Sequence, residues 1–109
     1  MPEVALLIAH AGLRQALEPF LRASGFGVVS FAGSPPPVVV TTALDSPATA
    51  CAELARQGAT VVVLATVPRE SERALYLGSG AAAYVAMSGV GDQLLRAIRA
   101  AIDGPYAPE

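Results

Sequence analysis

Lysine is absent from these 109 residues; every strongly basic side chain is an arginine, at Arg14, Arg22, Arg56, Arg69, Arg73, Arg96 and Arg99. Aspartate is nearly as scarce, with Asp45, Asp92 and Asp103 alone. Chemistry that needs a lysine, or several clustered aspartates, is closed at once. The single cysteine, Cys51, cannot staple the chain internally and fits a reducing compartment. Charged residues are only 15% and hydrophobic ones 53%. That is the reverse of the balance that keeps a chain disordered. With a formal net charge of −2, the chain has no electrostatic case for binding nucleic acid by itself. The first apolar run, Val4 to Ala9, is far shorter than the ~20 residues that span a bilayer. Glu3 precedes it where an export signal carries positive charge. A buried strand is the reading, in a chain expected to be soluble, cytoplasmic and without a membrane partner.

At 11.1 kDa there is room for one domain. Short apolar runs alternate with segments of helical spacing. After the first run, Leu13, Leu17, Phe20 and Leu21 recur on one helical face, and Gly25 closes that helix. Pro19 inside it predicts a kink. Residues 27–31 read as a second strand and 38–42 as a third. Ser46-Pro47 reads as a helix entry, a capping hydroxyl followed by proline in the first turn, with the helix running to Gln57 and ended by Gly58. Residues 60–65 form a fourth strand, 70–79 a polar-faced helix and 82–86 a fifth strand. Residues 91–103 form a closing helix striped by Leu94, Leu95, Ile98 and Ile102.

Strands alternating with helices argue an α/β fold, an open parallel sheet covered on both faces. Right-handed crossovers make a flavodoxin-like, doubly wound order 2-1-3-4-5 the leading topology. Function in such sheets gathers at the carboxyl ends of the strands.

The run Gly80-Ala-Ala-Ala-Tyr84-Val85-Ala86, followed by Leu94-Leu95-Arg96-Ala97-Ile98-Arg99-Ala100 and Gly104, resembles the end of a response-regulator receiver domain. The version is that of LuxR-type transcription factors. On this resemblance residues 1–104 form the receiver-like domain. Residues 105–109 begin a linker to a helix-turn-helix domain absent from the chain, through which alone DNA would be met. The family's chemistry is explicit: two acids after strand one and an aspartate after strand three hold magnesium, and the aspartate takes a phosphoryl group. A hydroxyl residue after strand four and a lysine after strand five complete the switch. Carried over, the acids fall on Ile8 and Ala9, the acceptor on Ala43, the hydroxyl on Ala65 and the lysine on Met87. All five are apolar. A shift of one residue brings Thr42 or Leu44 to the acceptor and Thr66 to the hydroxyl position, but no acid to strand one. Asp45 lies two beyond the acceptor.

A second departure is the missing helix between strands two and three, where the chain offers only Ala32-Gly-Ser-Pro-Pro-Pro37. A crossover there must return ~16 Å along a strand and pass a neighbour at ~10 Å, against a reach of ~20 Å for six residues. A taut strap, an antiparallel pairing of strands two and three, and exchange of the segment between subunits all stay open.

The resemblance without its charges implies a phosphorylation-independent pseudo-receiver, not an enzyme, with no cofactor and no metal. It would act through a protein partner, a homodimer foremost. Contact candidates are Tyr84 on strand five and Leu95, Arg96 and Arg99 on the last helix. The alternative is a sensor in which a small apolar ligand fills the vacated pocket, with His10, Thr42, Asp45, Thr66 and Ser88 as rim hydrogen-bonders. His10 lacks companion ligands at metal spacing and reads as structural or solvent-facing. Cys51 reads as a small buried packer, and Gly78-Ser79-Gly80 as a turn rather than a phosphate cradle.

Overall fold

Valine and alternating apolar positions set the architecture. In the computed structural model, which describes residues 3–29, 38–86, 94 and 96–100, five strands form one sheet: β1 (Glu3–Leu7), β2 (Gly27–Val29), β3 (Val38–Thr42), β4 (Thr60–Ala65) and β5 (Ala83–Ala86). The order is β2-β1-β3-β4-β5 and every pairing is parallel. Helices α1 (Ala11–Ala23), α2 (Ala48–Arg56) and α3 (Glu70–Gly78) lie between strands, and residues 94 and 96–100 are helical after β5. This is the doubly wound, flavodoxin-like sheet expected.

Successive strand residues face opposite sides, and each side has its own core. Val4, Val38, Val40, Val62, Leu64 and Val85 pack with Leu17 and Leu21 of α1 and with Leu94 and Ile98. Ala5, Val39, Val61 and Val63 pack with Cys51 and Leu54 of α2 and Tyr76 of α3. Burial of each such valine or leucine contributes about 1.5–3 kcal/mol. Cys51 is the buried packer anticipated, and burial pushes its thiol pKa up.

Three local expectations are refined. Helix α1 runs through Pro19; the carbonyl of Gln15 that loses a donor there is on an exposed face. Ser46 does not cap α2: Pro47 is the N-cap residue and no side chain caps it. The Ser46 hydroxyl is spent instead inside the protein, on Thr41 Oγ1 at 2.7 Å. The expected strap at 30–37 lies outside the described residues. Val29 lies opposite Ala5, and Val38 opposite Val4. Val29 and Val38 therefore sit one residue apart in level on either side of β1, about 10 Å across. Both strands pair parallel to β1 of the same chain, so β2 and β3 are not an antiparallel pair.

Helix ends turn on glycines with positive φ, and Gly80 is the most constrained: at φ +113°, an added Cβ would lie 3.1 Å from the Ala55 Cβ. Gly80→Ala is expected to cost about 1–2 kcal/mol from the backbone alone. A loss of that size lowers the thermal midpoint by roughly 4–15 °C. A melt followed by circular dichroism checks it.

Candidate functional site

The register carries the ends of β1, β3 and β4 to one edge. Leu7 pairs with Thr41, Thr41 with Val63, and Thr42 with Leu64, so the residues just beyond form a row: Ile8 and Ala9, Ala43, and Ala65. Ala43 continues the ladder by donating its N–H to the Leu64 carbonyl at 2.9 Å. The row is hydrocarbon, yet it does not enclose one hollow. Ile8 and Ala65 are core residues, 4% and 1% exposed. Ala9 lines one cleft and Ala43 a second. Met87 and Ser88 lie outside the described residues, as does the side chain of Leu95.

The first cleft, about 330 Å³, is walled by Ala9, His10, Leu13, Thr42, Leu44, Asp45 and Thr66. Four of the five expected rim residues therefore converge, joined by Leu13 and Leu44, which were not expected on the rim. Each polar group has a local reason for its place. His10 is the N-cap of α1: its Nδ1 accepts the Leu13 N–H at 3.1 Å. The structural role expected of His10 is thus a helix cap. Thr42 and Asp45 close the turn after β3. The Thr42 hydroxyl donates to Asp45 Oδ2 at 2.7 Å and accepts the Asp45 N–H at 3.0 Å. The second cleft, about 310 Å³, is lined by Ala43, Leu44, Thr66, Val67, Arg69 and Glu72.

Beneath these clefts lies a buried hydroxyl chain that the sequence reading missed. Thr41 Oγ1 donates to the Leu7 carbonyl at 2.8 Å, so its contact with Ser46 is supplied by the serine proton. Tyr76 then donates to the Ser46 carbonyl at 2.7 Å, with the Ala43 carbonyl at 3.2 Å. The chain thus links β1, β3, the β3–α2 loop and α3. The only available sequence signal was a pair of threonines ending an otherwise all-valine strand. Among the described residues no buried side-chain polar atom lacks a partner.

Tyr84 sits beside this group, its ring 5.9 Å from that of Tyr76. Its hydroxyl donates to Glu72 and accepts the Arg69 N–H at 3.4 Å. Burial, and then the bond to Glu72, raise the Tyr84 pKa. Of the two arginines expected at a contact face, Arg96 is exposed, while the Arg99 guanidinium lies 5.7 Å above the Phe26 ring. Arg99 is therefore partly used within the domain.

No protein-family model matches the sequence, and no curated protein matches it. Solved structures do. A response regulator from Thermotoga maritima superposes with a TM-score of 0.82 at 15% identity, covering 95% of this chain and 99% of that one. The fold is that of a receiver domain. A receiver domain protein from Clostridium thermocellum gives 0.82 at 18% identity over 94% and 95% of the two chains. A LuxR-family DNA-binding response regulator from Staphylococcus aureus gives 0.78 at 16%, over 93% and 98%. The expected receiver-like architecture is therefore present across nearly the whole chain.

A divalent cation of the kind the receiver resemblance implies does not fit these side chains. Such ions take several oxygen ligands, and the row offers methyl groups. Among the described residues no cluster of three or more His, Cys, Asp or Glu could hold a metal. The same residues contain no helix long and apolar enough to cross a membrane.

Tyr76→Phe removes the donor that satisfies the Ser46 carbonyl. The variant is expected to lose about 1–3 kcal/mol of stability in a urea melt. Tyr84→Phe, whose partner Glu72 is only half-buried, should lose less.

Proposed function

We propose that the chain is a phosphorylation-independent receiver-like signalling domain, a pseudo-receiver, that works by protein–protein contact, with a second copy of itself as the leading partner. The observation that carries this is the hydrocarbon row at the carboxyl edge of a receiver fold. Phosphoryl transfer depends on preorganised countercharge around the transferring group. Ile8, Ala9, Ala43 and Ala65 supply none, and the sequence has no lysine to supply it from strand five. Asp45, two residues past Ala43, is held in its turn by Thr42. On this reading the domain is a regulatory part and not a catalyst. Residues 105–109 start a linker to a helix-turn-helix domain through which DNA is met. The similarity to the Staphylococcus aureus DNA-binding regulator supports that last step. Incubation with acetyl phosphate and magnesium should leave the intact mass unchanged; a phosphorylated species would overturn the proposal.

The cleft of about 330 Å³ favours a second reading, a ligand-sensing domain. Its volume falls at the small end of the range that holds small molecules, and apolar walls with a few convergent polar groups are the usual composition of such sites. His10, Thr42, Asp45 and Thr66 are the groups that would orient an apolar guest. A thermal-shift screen with small metabolites tests it: a saturable rise in midpoint that Leu13→Ala weakens is the expected result, and no rise with any compound retires this reading.

A further inference from the structure

We infer that the first cleft takes a small monoamine, a hydrocarbon body carrying one protonated amino group that pairs with Asp45. The inference rests on the ligand-sensing reading above and adds the charge of the guest.

The carboxylate is held in place and only half used. Its Oδ2 takes the Thr42 hydroxyl at 2.7 Å, and the same hydroxyl accepts the Asp45 N–H at 3.0 Å. Side chain and backbone are thus fixed on one anchor, and Thr42 itself is buried. Oδ1 accepts no hydrogen bond among the described residues. Nor does Asp45 join an ion pair there, where the pairs are Arg22–Glu18, Arg56–Glu53 and Arg73–Glu70. Asp45 is half-buried, in a cleft whose apolar walls are Ala9, Leu13 and Leu44. A carboxylate with an open acceptor site, partly withdrawn from water, attracts a cationic donor more strongly than it would in bulk water.

The other groups on these walls leave the sign of the guest's charge to Asp45. Arg69 and Glu72 line the second cleft. His10, the other titratable side chain lining the first, has its Nδ1 engaged by the Leu13 N–H. That bond also takes up an amide of the first turn of α1, where an anion would otherwise be drawn. The hydrocarbon decides the rest. Leu44 is 90% exposed and Leu13 half-buried, and a hydrocarbon body seated between them covers both. A bare divalent cation does neither job, since it needs several oxygen ligands and covers no apolar surface. One oriented charge in an apolar cleft is the composition of small-molecule sites.

Titration of the 109-residue chain, followed by amide NMR spectra, tests this with hexylamine and phenethylamine against hexanol, phenethyl alcohol and hexanoate. The amines should bind saturably, shifting Leu13, Thr42 and Leu44, and about tenfold more tightly than the alcohols. Rising salt should weaken the amines alone, which reads the charge without any substitution. Asp45→Asn, which keeps an acceptor for the Thr42 hydroxyl, should bring amine and alcohol to the same affinity. Leu13→Ala should weaken both. Amines no tighter than their alcohols, tighter binding of hexanoate, or a preference for amines that survives Asp45→Asn overturns the inference and leaves ligand sensing standing. Absence of any saturable shift overturns the inference as well, and the ligand-sensing reading falls with it only if the metabolite screen is also silent.

Discussion

Everything in this domain follows from a sheet that is hydrocarbon on both faces. Val38, Val39 and Val40, like Val61 to Leu64, are almost fully buried. A strand with no polar face can be satisfied only by helices on both sides, which forces parallel pairing and crossover connections. Those connections leave two ends of the sheet open and no others. Where the chain can place exposed chemistry is thus decided before any functional residue is chosen.

At the carboxyl end the same hydrocarbon preference continues past the strands. Ile8 and Ala65 extend the core to the edge, and Ala9 and Ala43 leave methyl groups where polar ligands could stand. Several polar side chains there bond to the backbone or to one another. His10 serves the α1 amides, Thr42 and Asp45 close a turn on one another, and the Thr41–Ser46–Tyr76 chain binds loop to helix. A charge introduced into such a region is stabilised only by partners already positioned there. His10, Thr42 and Asp45 are engaged in local hydrogen bonds of this kind.

Strand order and helix placement were legible because they rest on strong, repeated signals: valine runs, helical leucine spacing and glycine stops. Convergence of His10, Thr42, Asp45 and Thr66 on one cleft was legible for a related reason, since residues that follow parallel strands must meet at one edge. Single hydrogen bonds were not. Ser46 before Pro47 matches a cap pattern, but Thr41 sits within 2.7 Å of its hydroxyl, a contact that depends on how the turn after β3 closes. The exposure of Leu44 was not legible, because a lone leucine in a loop carries no period.

Tyr84 shows how the pieces bear on one another. A tyrosine on the last strand of a five-stranded sheet has two natural places for its hydroxyl, solvent or a neighbour. Here Glu72 and the Arg69 amide hold it, and its ring lies against Tyr76, which is itself tied to the β3–α2 loop. The same helix turn therefore carries Arg69 on the outer wall of the second cleft and Glu72 as the anchor of Tyr84. Movement of that turn would alter the cleft wall, the tyrosine and the loop bearing Leu44 together. Hydrogen bonds and ring contact thus tie the second cleft's wall to the buried hydroxyl chain.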